Sequence, residues 1–518
     1  MRGILDREGE APGPAGGPRR RAFALWSAAA LALAALPVVA VRYPPILDLP
    51  QQLAQIDLVG RALGDPAGPY RIQWWQPDKI AYPLLAAARW LGGNAWGPRL
   101  AVLLVQAAWI AGVFALAARR ARAPEQAALA TLFLWSGTFF GGFFHFLLGV
   151  GALAFWVPEL AGGEGARGGS APARSFAALA GRTCAGAGLL WLCHALWLAA
   201  AFVLVPLALA LRRAGAREWV ARAAGLAPWG ALAAFWYPTL ARHGWDRELF
   251  YGAPVGERLT SPGYVVTVLL GGLRGPVEGW VMAAVALWLA AGLWSARATG
   301  ARSDRALALL GGLLLVPALV APESLGDTAL FGRRWGWVAA VCLVLAVPPP
   351  RVRAPLRAAF VLVLVAGFAT VQLAEWRDFE RRWTAGFERL LEPIARGERV
   401  LGLDFVRRVP GLWVHPLFQM PAYAQLERGA ELGYSFAETA SSLVVYRDLP
   451  APRPWTPRLE HHPDRLADAD LDHFAWVLAA GVPDLHAALT AGFPRLEERA
   501  SAGPWRLYAV TAGRGAAR

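Results

Sequence analysis

The chain has almost no lysine: Lys79 stands alone among 51 basic residues, the rest being arginine. Charge of either sign is scarce, at 17% of 518 residues, where a soluble globular protein carries roughly 25%. There are three cysteines, Cys184, Cys193 and Cys342, all inside apolar runs. That excludes a disulfide framework, and their spacing matches no zinc site. No basic stripe with interleaved aromatics lies on a polar segment, so the net charge of +14 does not point to nucleic acid. Also missing are an internal repeat, a matching pair of Gly/Pro-broken apolar helices, and acidic residues in mid-run. A transporter or lipid flippase would want these.

What the chain has is apolar length. Hydrophobic residues make up 56% of it, with 25 Trp. Charge-free runs of membrane-spanning length alternate with short Arg-rich connectors. Spans are expected near 22–41, 97–118, 126–142, 143–161, 174–193, 195–211, 225–241, 278–297, 305–321, 334–350 and 354–373. Each reaches or nearly reaches the length needed to cross about 30 Å of hydrocarbon. Residues 1–21 are rich in Gly, Pro and Arg and read as a disordered cytoplasmic terminus. The run after them is long for a signal peptide and has no small-residue cleavage site before Tyr43, so it reads as a retained first helix.

Arginine placement gives an orientation. Arg19–Arg21, Arg119–Arg122, Arg212–Arg222, Arg297–Arg305 and Arg351–Arg357 all fall on one side if the N-terminus is cytoplasmic. The expected fold class is an all-α polytopic membrane bundle of about eleven transmembrane helices. Extracytoplasmic amphipathic loop helices and a small extracytoplasmic α/β domain complete it. The transmembrane domain covers 22–373, with outward loops at 42–96 and 242–277, and the α/β domain covers 374–518. Within that domain, strands are expected at Arg399–Leu403, Phe474–Leu478 and Trp505–Val510, and helix around Leu417–Glu427.

The loop Tyr43-Pro44-Pro45-Ile46-Leu47-Asp48-Leu49-Pro50-Gln51-Gln52-Leu53-Ala54 carries the most information. Leu49, Leu53 and Ile56 share one face of an interfacial helix that begins at Asp48. Gln52 and Gln55 share a side with Asp48. Asp48 suits a helix N-cap, with Pro50 in the first turn and Gln51 completing a capping-box-like pattern. A capping carboxylate can also serve as a base, so both roles stay open. Farther on, Trp74-Trp75 fits an interfacial anchor, Asp78-Lys79 a solvated ion pair, and Ile80–Leu91 a second amphipathic helix.

Together, an early Asp in a long outward loop, about ten further helices and an outward C-terminal domain resemble the GT-C glycosyltransferases. Asp48-Leu49-Pro50-Gln51-Gln52-Leu53-Ala54 resembles the Asp-Tyr-Pro-Asn-His-Leu-Ala pattern of bacterial GT-C-like membrane proteins. Pro77-Asp78 resembles their later Pro-Asn. Gly142-Phe143-Phe144-His145-Phe146-Leu147-Leu148-Gly149 is similar to a phrase in their fourth helix, and Cys193-His194-Ala195 to a Ser-His that follows. One departure stands out: their histidine falls at Gln52, which cannot titrate. A non-catalytic relative that keeps the scaffold as an assembly or binding component is therefore a further reading.

The resemblance implies transfer of a sugar from a polyprenyl-phosphate or polyprenyl-diphosphate donor to a glycan, lipid or protein acceptor outside the bacterial inner membrane. Such chemistry needs a carboxylate to deprotonate the acceptor or hold a divalent cation, and cations for the departing phosphate. Asp48 matches the family's early Asp and takes the first role. Arg333 and Arg334 take the second, since a guanidinium fork fits phosphate; snorkelling at a helix end is the competing account. Gln52, Asp78, His145 and His194 are pocket candidates. For each histidine an interhelical hydrogen bond is the alternative. Arg242, His243, Asp246, Arg247 and Glu248 offer acceptor contacts or a solvated loop. His415, Tyr423 and Tyr434 form no catalytic constellation, and His461-His462 lacks further metal-ligand spacing.

Overall fold

The computed structural model describes residues 16–160, 175–242, 249–325, 328–448 and 453–511. The cluster His243–Glu248 and Asp327 lie outside the described residues, as does most of the expected N-terminal segment.

In hydrocarbon every backbone polar group must find its partner within the segment, so apolar runs close into helices. The helices are α1 (Gly16–Val39), α2 (Leu49–Gly64), α3 (Tyr82–Arg119), α4 (Pro124–Ala130), α5 (Gly137–Phe140), α6 (Phe144–Leu147) and α7 (Gly149–Leu160). Next come α8 (Phe176–Cys193), α9 (Ala195–Leu211), α10 (Ala216–Arg242), α11 (Val255–Thr260), α12 (Pro262–Leu269), α13 (Val277–Thr299) and α14 (Arg305–Val320). The last are α15 (Gly336–Ala346), α16 (Ala354–Phe379), α17 (Phe387–Leu390), α18 (Ala422–Arg428) and α19 (Pro483–Gly492). Among the described residues, five helices are long and apolar enough to cross a membrane, beginning at Gly17, Tyr82, Phe176, Val277 and Ala354. Three shorter apolar helices begin at Phe144, Ala195 and Arg305. The protein is a multi-pass membrane protein with a small sheet unit.

Two expected spans differ in form. The stretch 126–142 is not one helix but α4, a 3-10 helix Thr131–Trp135, and α5. The stretch 143–161 is split into α6 and α7. Between α5 and α6 the chain turns at Gly142, whose φ is +80°, and an apolar run does not disclose such a break. The expected amphipathic helix Ile80–Leu91 and the span after it form one element, α3, bent at Gly93 where φ is +55°.

The strands are β1 (Tyr70–Ile72), β2 (Leu249–Phe250), β3 (Ser324–Leu325), β4 (Arg399–Asp404), β5 (Glu431–Leu432), β6 (Val444–Tyr446), β7 (Trp476–Ala480), β8 (Leu496–Ala502) and β9 (Trp505–Val510). The C-terminal sheet has the order β5-β4-β7-β9-β8. β4 runs parallel to β5 and β7, while β7–β9 and β9–β8 are antiparallel. The expected strands of this unit are present, while the expected helix around Leu417–Glu427 is split into a 3-10 helix, Pro416–Gln419, and α18.

This unit does not hang free. β1, in the first long loop, pairs antiparallel with β6 of the C-terminal segment. One continuous core runs from Trp109 and Trp337 in the bundle through Tyr43 and Leu53 to Tyr423, Val444 and Trp505. A second, smaller core lies within the sheet unit around Leu403, Val477 and Tyr508. The first loop is thus clamped between bundle and sheet unit, and that layer holds the candidate site.

Candidate functional site

Asp48 occupies the N-cap position of α2, yet its side chain makes no capping hydrogen bond. The plain cap is therefore not what this carboxylate does. Its backbone N–H reaches Gly141 O at 3.3 Å, and the Leu47 N–H reaches Phe140 O at 2.9 Å. These bonds lay the loop against the α5–α6 turn. A Cβ at Gly142 would come within 2.9 Å of the Asp48 Cβ. Contact and positive φ together require glycine there. Burial raises the Asp48 carboxyl to about 7, against which the Arg334 cation pulls downward.

Gln52, where the resembling proteins have histidine, is 5% exposed and donates through Nε2 to Gly142 O at 2.6 Å. Its Oε1 is buried without a partner. Its neighbours on α2 fasten the sheet unit. Gln51 donates to Tyr434 O at 3.2 Å and accepts from the Phe436 N–H at 3.1 Å. Gln55 accepts from the Val444 N–H at 2.7 Å.

Arg333 and Arg334 sit side by side on the 3-10 helix Arg333–Trp335 but face different surroundings. Arg333 is taken by Glu323, which its Nη2 hydrogen-bonds, and its guanidinium lies 5.3 Å from the Tyr264 ring centre. Arg334 is 5% exposed, donates from Nε to Ala329 O at 3.0 Å, and stacks on Phe143 at 3.8 Å. Among the described residues it forms no ion pair, although both Asp48 and Asp78 act on it electrostatically.

Its Nη1 lies 2.8 Å from His194 Nε2. His194 accepts from the Leu196 N–H through Nδ1 at 3.1 Å, capping α9. A neutral ring so bonded carries its proton on Nε2, and that nitrogen faces Asp78 Oδ2 at 3.8 Å. Two donor groups, the Arg334 guanidinium and the His194 Nε2–H, thus stand side by side next to the Asp78 carboxylate.

Asp78 and Lys79 do not form the expected solvated pair. Lys79 is 8% exposed, donates to Ser441 O at 3.1 Å and lies over the Tyr82 ring. Asp78 has φ of +65° and a buried, unpartnered Oδ1. Burial raises the Asp78 carboxyl and lowers the Lys79 ammonium, while each opposes the shift of the other. The hydrophilic letters hid the enclosure: the Lys79 and Ile80 N–H groups both bond Leu192 O at the end of α8.

His145 is 7% exposed and accepts from the Ala81 N–H through Nδ1 at 3.1 Å. Its ring centre lies 4.7 Å from that of Tyr82, and its Nε2 has no partner. It fixes the start of α3 beside Lys79 rather than bridging two long spans.

The geometry therefore draws Asp48, Gln52, Asp78, His194 and Arg334 into one neighbourhood, with His145 behind Tyr82, and sets Arg333 apart. Sequence reasoning did not assign Tyr82 and Gln419 to it, and left Tyr434 as mere polar surface. Burial and the Asp48 carboxylate both raise the Tyr434 phenol, against a hydrogen bond from Gln419. Among the described residues no group of three or more His, Cys, Asp or Glu is placed to hold a metal. The cation beside Asp48 is the Arg334 guanidinium.

No family model matches the chain, and neither does any curated protein. Solved structures do. ArnT from Cupriavidus metallidurans bound to undecaprenyl phosphate is similar with a TM-score of 0.54 at 14% identity, covering 94% of this chain and 97% of that one. The fold is that of ArnT, in keeping with the GT-C resemblance of the sequence. The apo state of the same ArnT gives 0.54 at 13% identity over 94% and 97% of the two chains. The mycobacterial arabinofuranosyltransferase AftD gives 0.43 at 17% identity, over 94% of this chain and 41% of that one. The likeness to ArnT extends over nearly the whole chain.

Proposed function

We propose that this protein is a GT-C membrane glycosyltransferase that uses a polyprenyl-phosphate-linked sugar. Asp48 is the base and Arg334 the phosphate-binding cation. The observation that carries the reading is the pairing of a non-capping carboxylate with an arginine that has no ion pair among the described residues, on a fold shared with a protein solved with undecaprenyl phosphate.

In this reading an acceptor hydroxyl attacks the sugar C1. Its proton passes to Asp48, whose pKa of about 7 suits a base working near neutrality. The bond from C1 to the phosphate oxygen breaks, and the electron pair leaves with the polyprenyl phosphate. Arg334 meets the charge that develops on that oxygen. His194 is a positioning residue whose ring borders the guanidinium edge, while Phe143 stacks on its face. Gln52 acts through the backbone by fixing Gly142 under Asp48, so loss of the family histidine does not remove the base. The layer lies at the extracytoplasmic surface of the bacterial inner membrane, the N-terminus is cytoplasmic, and the bundle crosses about eleven times.

The test is binding of undecaprenyl phosphate to the full chain in lipid nanodiscs. Arg334→Ala is expected to weaken it at least about tenfold, and Arg333→Ala to leave it within about threefold. Equal binding by Arg334→Ala and wild type would remove Arg334 from the donor site.

A further inference from the structure

A second group of side chains faces Asp48 from the C-terminal side. The short 3-10 helix Pro416–Gln419 packs on α2, bringing Phe418 and Gln419 to the layer. Phe418 is half-buried, and the exposed ring of His461 stacks on it with centres 4.7 Å apart. Tyr434 is half-buried, 6.1 Å from Phe418 and 6.4 Å from His461 between ring centres. The Arg453 guanidinium stands 5.9 Å from the Tyr434 ring and is neutralised by Glu438 and Glu460. The result is an aromatic wall, open on one side, with no net cation of its own.

Two buried amide oxygens are left over there. Gln419 is 3% exposed and its Oε1 has no partner. Gln52 Oε1 is likewise buried and unpaired. The Asp48 carboxylate makes no capping bond. The 3-10 helix that carries Gln419 packs on α2, and Gln51, beside Gln52 on α2, donates to Tyr434 O at 3.2 Å, so these acceptors and Tyr434 gather at the Asp48 end of α2. Buried acceptors are rarely left unpaired without a reason. A phosphate or an acyl chain brings no donors to satisfy them. A ligand with several hydroxyls on an apolar ring face does so while stacking on aromatic rings.

We propose that Phe418, Gln419, Tyr434 and His461, with Gln52, form a subsite for a polyhydroxylated acceptor, a saccharide, that presents one hydroxyl to Asp48. The subsite rests on the proposed function, for it fixes the acceptor side of the same reaction and leaves the phosphate side to Arg334.

The test uses the full chain in nanodiscs against a printed panel of mono- and oligosaccharides, followed by equilibrium titration with the best binder. Wild type is expected to bind; Phe418→Ala and Gln419→Ala are expected to bind at least about tenfold more weakly. Phe418→Tyr and Gln419→Glu keep ring and acceptor and are expected to retain binding, which separates loss of the site from loss of the fold. Failure of every saccharide to bind, or equal binding by the alanine variants, overturns the subsite. Undecaprenyl phosphate binding is read in parallel on the same samples. Its absence in wild type counts against the proposed function, whereas its presence without saccharide binding counts against the subsite alone.

Discussion

Asp48 combines a raised pKa with a missing cap bond, and both consequences can be measured. Folding moves its carboxyl from 3.8 to about 7. Across that window the native state keeps a proton that the unfolded chain has released, so the contribution of Asp48 to stability falls as pH rises from about 4 to about 7. Asparagine removes that loss. In melting curves the advantage of Asp48→Asn over wild type is expected to grow between pH 5 and pH 8; a constant difference would mean that the carboxyl titrates as if exposed. In the proposed reaction activity runs the other way, because a base works ionised. Transfer is expected to rise as pH climbs through about 7 and to fall by about 10²–10⁴-fold in Asp48→Asn. Local sequence named Asp48 because its neighbours carry a recognisable phrase. It did not distinguish Arg333 from Arg334, since adjacent letters do not say which guanidinium Glu323 neutralises.

At the scale of elements, α2 is the joint between bundle and sheet unit, and three glutamines make it so. Gln51 and Gln55 bond backbone groups of the C-terminal segment, and Gln52 bonds Gly142 in the bundle. Gln55→Ala would strand the Val444 N–H in a buried place, at a cost of about 1–3 kcal/mol. Because Val444 opens β6, the partner of β1, the loss is expected to appear as faster proteolysis near residues 70–76 and 440–446 before the bundle itself melts. Uniform protection would show that the joint is held elsewhere. The periodicity of α2 was legible because one face carries Leu49, Leu53 and Ile56. Its docking was not, since the partners lie more than 380 positions away in the chain. The same limit explains Asp78 and Lys79: two charged letters read as solvent-exposed until α8 and Ser441 close over them.

The whole molecule has two unlike ends, and composition foreshadowed this. Away from the site, Arg120 grips Asp304 through two bonds of 2.6 and 2.8 Å, Arg122 adds a third contact at 3.3 Å, and Arg357 pairs with Glu125 at 3.0 Å. These are connectors that the arginine count assigned to the cytoplasmic side. At the other end lie the first loop, the sheet unit and Asp48. Apolar runs announced the bundle because lipid demands them, whereas the breaks between α4 and α7 depend on tertiary contacts around Gly142 that hydropathy cannot register. The orientation itself is open to a direct experiment with single cysteines at exposed positions, Ala301 between α13 and α14 and Ala491 on α19. Ala491→Cys is expected to react with a membrane-impermeant maleimide in intact spheroplasts, and Ala301→Cys only after permeabilisation. The native Cys193 and Cys342 are buried and Cys184 is half-buried, so the unsubstituted chain gives the background. The reverse pattern would put Asp48 on the cytoplasmic face and undo the extracytoplasmic reading of the reaction, while leaving the fold unchanged.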